Sequence, residues 1–271
     1  MSKKIYIISN MTKSGSEKVL ERVESIAERE GYETKAFIDP IEVFALCAET
    51  APECIVSIGG DGTILSAISS AVNSGLPVDT PILGVNLGHI GFFSETSIDG
   101  FAEALRSVKN GSYRIESASM LKAVLDDGME FVCLNDFMIA KKGFSSVSHV
   151  EVSIDGCSMG MINGDGIIIS SSTGSTGYSI SAGGPVVAPK LDVMLITPVC
   201  PHSLTARPVV ASFDSTVRVV TRSDCVLHSD GTQLMSLPEN TSLTVTKAEQ
   251  KVSFIRIGER NVFKLIREKL A

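Results

Sequence analysis

No Cys-x-x-Cys pair occurs in this chain, no apolar run reaches membrane-spanning length, and basic residues are outnumbered by acidic ones. The six cysteines, Cys47, Cys54, Cys133, Cys157, Cys200 and Cys225, are scattered and mostly sit in apolar surroundings. They read as reduced core thiols, not as a disulfide framework. Without a continuous apolar stretch of about 20 residues, a helical membrane span is excluded. The balance of 24 Lys and Arg against 31 Asp and Glu gives a net charge of −7, and no basic patch stands out. A general nucleic-acid binder is therefore not expected. An anionic small substrate stays open, because a local glycine-rich loop outweighs the global sign. Of the histidines His89, His149, His202 and His228, no two have metal-ligand spacing. Cys200 and His202 lack a third ligand, so no metal site built by the protein is expected. A Ser/His/Asp hydrolase would need a Gly-x-Ser-x-Gly elbow, and there is none. Met1-Ser2-Lys3-Lys4 runs straight into Ile5-Tyr6-Ile7-Ile8, too short for the apolar region of a signal peptide. The expectation is a soluble cytoplasmic protein without membrane or nucleic-acid partners.

What is present is a substantial apolar fraction, 44% of 271 residues, enough for one large domain or two ordinary ones. Strand and helix patterns alternate through the first 110 residues or so. Lys4 to Ile8 reads as a strand. Ser16 to Glu30 reads as an amphipathic helix with Val19, Val23, Ile26 and Ala27 on its apolar stripe, stopped by Gly31. Thr34 to Ile38, Cys54 to Ile58 and Pro81 to Asn86 read as further strands, and Ile98 to Val108 as a helix. Such alternation predicts a parallel sheet covered on both faces, with ligands beyond the carboxyl ends of its strands. After Gly111 the texture changes to short alternating segments separated by Asp-Gly, Asn-Gly and Ser-Asp turns: Met120 to Leu125, His149 to Ile154, Thr216 to Val220 and Ser242 to Thr246. That pattern predicts antiparallel β structure. The tail from Arg260 to Leu270 returns to a helical pattern.

Three motifs carry chemistry. The first is Gly59-Gly60-Asp61-Gly62-Thr63, between the strand-like Cys54–Ile58 and the helix-like run that starts at Ile64. A strand that breaks into glycines and restarts as a helix places backbone N–H groups where phosphate is held. There is no Gly-Lys-Ser/Thr, so this is not a Walker loop, and phosphate would rest on backbone amides. Asp61 repels phosphate; it either caps the helix or handles a proton or a metal. The second motif is Asn135-Asp136, which is a plain turn or an amide–carboxylate pair suited to a base edge and a ribose diol. The third runs from Gly164-Asp165-Gly166 through Ile167-Ile168-Ile169 to Ser170–Pro185, a buried strand entering a hydroxyl- and glycine-rich segment. A groove for a polyhydroxyl, phosphorylated ligand fits it, with Tyr178 as a wall.

Taken together, these motifs resemble the NAD kinase family. The likeness extends through Asn86-Leu87-Gly88-His89-Ile90-Gly91-Phe92, Ile196 to Pro208 with its Pro201-His202-Ser203-Leu204, and Asp230-Gly231. The resemblance implies a Rossmann-like N-terminal domain over residues 1–115, with 252–271 packing back on it as a tail helix, and a C-terminal β-sandwich over 116–251. It implies phosphoryl transfer from ATP, or polyphosphate, to the 2′-hydroxyl of the adenosine ribose of NAD. Asp61 would be the catalytic base, with Gly59, Gly60, Gly62 and Thr63 facing the phosphate donor. Asp61, Gly62, Asn135, Asp136, Asn163, Asp165, Thr173, Thr176, Gly177, Tyr178, Ser179, Ile180, Ser181 and Gln233 would line the NAD site. It further implies Mg²⁺ accompanying ATP, and a homo-oligomer, dimer or tetramer.

The chain departs from the family pattern at a few of these positions. Asp136 stands where Glu is common, Gly177 where Ala is usual, Ser172 where Pro is frequent and Asn163 where a basic residue often stands. Thr232 displaces the usual Gln to Gln233. A lipid kinase would carry a Gly-Thr-Gly-Asn-Asp stretch, and a 6-phosphofructokinase a Pro-Lys-Thr-Ile-Asp-Asn-Asp segment; both are absent. A non-catalytic dinucleotide sensor is the alternative from a different class, and an intact Asp61 speaks against it.

Overall fold

β1 (Lys3–Ser9) alternates its buried side chains between two layers of helix, and this strand sets the plan of the first half of the chain. A computed structural model describes residues 3–9, 16–88, 91–188, 190–259 and 262–270. The chain divides into two units, one of Met1–Ala118 with Gln250–Ala271 and one of Ser119–Glu249. In the first unit, α1 (Ser16–Arg29), β2 (Tyr32–Phe37), α2 (Pro40–Glu49), β3 (Cys54–Ile58), α3 (Asp61–Asn73), β4 (Ile82–Asn86), β5 (Ser94–Ser97) and α4 (Phe101–Lys109) follow β1. Strands run in the order β2-β1-β3-β4, all parallel, with β5 parallel on β4. Ile5 and Ile7 face Val23 and Ala27 of α1 and Phe101, Leu105 and Val108 of α4 in one core. β3 and β4 are buried at every position, as expected for strands covered on both sides.

Two elements here were not expected from the sequence. α2 begins at Pro40, with Asp39 as its cap accepting from the Ile41 N–H at 2.9 Å. Its apolar residues do not form a clean stripe, yet it buries Val43, Phe44 and Cys47. β5 carries no apolar alternation at all; it forms because its backbone pairs with β4, Gly84 opposite Ser94. At Gly84 a Cβ would lie 2.7 Å from the Phe93 carbonyl oxygen, so glycine is what lets the two backbones approach.

The second unit is an antiparallel β-sandwich, the expected class. Its strands are the part of β6 (Arg114–Leu125) from Ser119 onward, β7 (Glu130–Cys133), β8 (Asp136–Lys141), β9 (Ser148–Ile154), β10 (Cys157–Gly164), β11 (Gly166–Ser171), β12 (Val193–Val199), β13 (Val209–Ser212), β14 (Val217–Thr221), β15 (Cys225–Ser229) and β16 (Thr232–Leu237). Between β11 and β12 the chain makes a 3₁₀ turn, Thr173–Thr176, and the one-turn α5 (Tyr178–Ser181). One sheet has the order β13-β12-β11-β8-β15-β16; β9, β10 and β14 lie in the other with the start of β17 (Ser242–Arg256). Phe137, Ile139, Ile167, Ile169 and Leu227 of the first meet Val150, Val152, Val217, Val219 and Leu243 of the second in a core closed to water. The chain ends in α6 (Val262–Leu270), which belongs to the first unit. Arg260 and Asn261, the start of the expected tail helix, lie outside the described residues, as do His89 and Ile90.

Candidate functional site

The strand order reverses between β1 and β3, and β3 feeds the Gly59–Thr63 loop from its carboxyl end. Gly59 sits at φ +150°, and a Cβ there would come within 2.5 Å of the Thr63 hydroxyl. Only glycine accommodates both. Gly60 caps α3 without a side chain, and the Thr63 N–H donates to the Gly60 carbonyl at 3.0 Å. At Gly60 and Gly62 a Cβ would meet open space. The loop thus turns sharply from β3 into the N-terminus of α3, the end of a helix at which an anion is held.

Asp61 stands in the first turn of α3, and Gly60, not Asp61, occupies the cap position. Its carboxylate instead reaches the backbone 31 and 32 residues on: Oδ2 accepts from the Phe92 N–H at 2.8 Å and Oδ1 from the Phe93 N–H at 3.0 Å. A carboxylate offers about four lone-pair sites, and these two N–H groups fix its orientation. The segment that presents these donors is closed on itself. The Gly91 N–H donates to the Ser94 hydroxyl at 2.5 Å, and the Gly88 N–H donates to Asn86 Oδ1 at 2.7 Å. Gly91 is where carboxylate and turn come closest, since a Cβ there would lie 2.0 Å from Asp61 Oδ1.

In the second unit a different cluster forms around Asn135-Asp136. Asp136 is buried at the start of β8, opposite Ser170 of β11. Asp230, in the tight turn before β16, accepts from three successive backbone N–H groups: Leu134 at 3.0 Å, Asn135 at 2.8 Å and Asp136 at 3.2 Å. In the sequence Asp230-Gly231 belongs to the family likeness, and an Asp-Gly pair predicts a turn; neither assigns Asp230 to the site. The positive φ of both residues fits the turn; the inward carboxylate is what the pattern hides. Burial, then the nearby Asp230 charge, pushes the Asp136 carboxyl up to about 7. Burial pushes Asp230 up to about 6, against the lowering effect of the three N–H donors. Asn135 Oδ1 is buried with no hydrogen-bond partner among the described residues.

The hydroxyl-rich segment folds against this cluster. Ser171 Oγ donates to the Leu134 carbonyl at 2.6 Å, and the Ser171 N–H donates to the Asn135 carbonyl at 2.8 Å. A Cβ at Gly174 would lie 2.2 Å from the Asn135 carbonyl oxygen, and one at Gly177 3.3 Å from Asn135 Nδ2 and 3.4 Å from Asp136 Oδ2. Thr173, Thr176, Gly177 and Ile180 are half-buried, and Tyr178 and Ser181 are exposed. Ser179 turns inward, its buried hydroxyl sharing a hydrogen bond with Thr197 Oγ1 at 2.9 Å. Gln233 is exposed on the outermost strand β16, paired with His228.

Asn163 and Asp165 are placed elsewhere. Lys141 ends β8 where Asp136 begins it, five residues away, or about 17 Å along an antiparallel strand. The Asp165 carboxylate pairs with Lys141 Nζ at 2.5 Å, at that far end. The Asn163 side chain meets His149 Nδ1 at 2.7 Å across β9 and β10. The residues expected to line one site therefore form two groups at opposite ends of the β8–β11 pair. Among the described residues, no three His, Cys, Asp or Glu side chains gather as a metal cage.

A glycine loop with a carboxylate on a parallel sheet, joined in one chain to a sandwich with a buried amide–carboxylate cluster, defines a class of nucleotide-handling α/β-plus-β proteins. Comparison with known proteins narrows the class. The model of the ATP-NAD kinase N-terminal domain matches residues 2–113, and that of the ATP-NAD kinase C-terminal domain matches 134–257. The NAD kinase of Moorella thermoacetica is 39% identical over 226 residues, 81% of this chain and 71% of that one. The NAD kinase of Natranaerobius thermophilus is 40% identical over 225 residues, 80% and 77% of the two chains. The crystal structure of an NAD kinase from Archaeoglobus fulgidus in complex with ATP superposes with a TM-score of 0.82, covering 98% of each chain at 26% identity. A yeast NADH kinase complexed with NADH shares the fold with a TM-score of 0.83, at 21% identity over 99% of this chain and 87% of that one. The chain belongs to the NAD kinase family.

Two expectations follow from the geometry. Gly91→Ala drives a methyl group into the Asp61 carboxylate; kinase activity is expected to fall at least tenfold while the melting temperature changes by only a few degrees, and unchanged activity would contradict the contact. The second concerns pH. Folded Asp136 and Asp230 keep their protons to higher pH than the free carboxyl value of 3.8. Between about pH 4 and 7 the folded state therefore binds more protons than the unfolded one, so the pair's contribution to stability declines as pH rises through that window. Asp136→Asn, compared with wild type by denaturant unfolding, is expected to gain relative stability between pH 5 and 8; a difference independent of pH would contradict the burial of this carboxyl.

Proposed function

We propose that this chain is an NAD kinase, transferring the terminal phosphoryl group of ATP or polyphosphate to the 2′-hydroxyl of the adenosine ribose of NAD to give NADP. The observation that carries the reading is Asp61, a carboxylate set in a phosphate loop but held by two backbone N–H groups. Phosphoryl transfer is mainly positioning and charge neutralisation, so a backbone cradle and one oriented base suffice. Asp61 accepts the hydroxyl proton as the new oxygen–phosphorus bond forms and the bond to the leaving diphosphate breaks. Gly59, Gly60, Gly62 and Thr63 face the donor phosphates.

Asn135 and Asp136 hold the adenosine. The unpartnered Oδ1 of Asn135 supports this, since an exocyclic amino group supplies the missing donor. Asp136, its carboxyl pushed up to about 7, is divided between its two protonation states near neutrality and so can donate as well as accept. Thr173, Thr176, Gly177, Tyr178, Ile180 and Ser181 line the remainder, while Ser179 acts by fixing α5 through Thr197. Asn163, Asp165 and Gln233 belong to the same reading through the family pattern, the first two away from Asn135. Mg²⁺ accompanying ATP belongs to the same reading through the family pattern; the Gly59–Thr63 loop would hold the donor that carries it, and the ion would neutralise phosphate charge. Family membership further supports a cytoplasmic homo-oligomer, dimer or tetramer. No helix among the described residues is long and apolar enough to cross a membrane.

The test is incubation with NAD, Mg²⁺ and either ATP or polyphosphate, with the product read by a dehydrogenase that accepts only NADP. Loss of a positioned base costs about 10²–10⁴-fold in rate. Asp61→Asn is expected to lose that much while calorimetry shows NAD still bound. Absence of NADP with both donors would overturn the kinase reading, and near-normal turnover by the variant would overturn the role of Asp61. Tight NAD binding without turnover in the wild type would instead favour a dinucleotide sensor.

A further inference from the structure

We propose that Arg256 is a positioning residue for Asp61, acting through the peptide group between Phe92 and Phe93. Arg256 ends β17 and is 2% exposed. Its Nη2 donates to the Phe92 carbonyl at 3.2 Å and its Nη1 to the Phe93 carbonyl at 3.2 Å. The peptide group joining these two residues carries the Phe92 carbonyl on one side and the Phe93 N–H on the other. That N–H donates to Asp61 Oδ1 at 3.0 Å. A single trans peptide plane therefore stands between guanidinium and carboxylate, accepting from one and donating to the other. Each bond polarises the next, so the cation strengthens the donor that Asp61 feels.

The surroundings hold the guanidinium for this use. Nε and Nη2 donate to Glu116 Oε1 at 3.1 and 2.9 Å, and Nη1 lies 3.6 Å from Glu95 Oε2. Glu95 in turn accepts from the Ile257 N–H at 2.8 Å, tying β5 to the residue after Arg256. The guanidinium lies 5.3 Å from the Phe254 ring, which stacks on Phe93. A guanidinium presents five donors in a rigid fork; here the fork is shared among two carbonyls and a carboxylate, which a lysine cannot reproduce. A buried ion pair alone would need only Glu95 and Glu116. The two carbonyl bonds point into the turn that holds the base.

The inference rests on Asp61 being the base of the kinase reading. Its test is a double-mutant cycle in the full chain, with kcat and KM measured for NADP formation and a melting curve for each variant. Arg256→Lys is expected to lower kcat about tenfold or more with KM for NAD within about twofold. In an Asp61→Asn background the same substitution is expected to lower kcat by less than about twofold, because a group that acts through Asp61 has nothing left to orient. If Arg256→Lys shows no cooperative melting, Glu116→Gln loosens the fork more gently and is expected to give the same pattern, a loss of about threefold that vanishes in the Asp61→Asn background. Wild-type kcat in a folded variant, or equal losses in the two backgrounds, overturns the proposal and leaves the kinase reading intact. A wild type that makes no NADP overturns the kinase reading instead.

Discussion

The first unit depends on one interaction, the grip of two backbone N–H groups, those of Phe92 and Phe93, on the carboxylate of Asp61. Local features around it are conditions for that grip. Gly91 lacks a side chain because a Cβ would occupy the carboxylate's place, and Gly84 lacks one because β5 must lie close on β4 to bring the turn within reach. Gly59 takes a positive φ so that β3 hands the chain to α3 at the right angle. The Ser94 hydroxyl closes the turn from below by accepting from Gly91. A carboxylate placed in the proposed phosphate loop would be electrostatically unfavourable unless it were fixed away from the anion. Backbone donors fix it without adding a further charge.

The second unit solves a similar problem with more burial. Asp230 gathers the N–H groups of Leu134, Asn135 and Asp136 and so fixes the backbone on which Asn135 and Asp136 stand. Two carboxyls placed close in a dry site keep their protons longer than free carboxyls do, and folded stability is spent on that arrangement near neutral pH. Strained or unsatisfied groups of this kind gather where a ligand is expected to complete them, and Asn135 Oδ1 is one.

Much of this was legible in the sequence, for reasons that also explain the rest. A buried strand breaking into glycines before a helix is a local pattern, so the Gly59–Thr63 loop could be read directly. The partner of Asp61 could not, because backbone N–H groups carry no letter; Gly91 was the only trace, visible as a glycine in the Asn86–Phe93 stretch. Asp230 was hidden for the opposite reason: Asp-Gly before a strand is a turn signal, and the turn is real, but the side chain serves residues nearly a hundred positions earlier. Asn163 and Asp165 are near Ser170 in the sequence and far from it in space, since β11 is extended and covers about 3.4 Å per residue. α2 was missed because its burial comes from packing on α3 and β1, without a regular stripe.

Amide hydrogen exchange at Phe92 and Phe93 tests the central interaction most directly. In the wild type both amides are expected to be protected, and in Asp61→Ala to exchange about tenfold faster or more, while the amides of Val56 and Ile58 inside β3 keep their protection. Equal exchange at Phe92 and Phe93 in the two proteins would contradict the account, because the carboxylate would then not be what those amides hold.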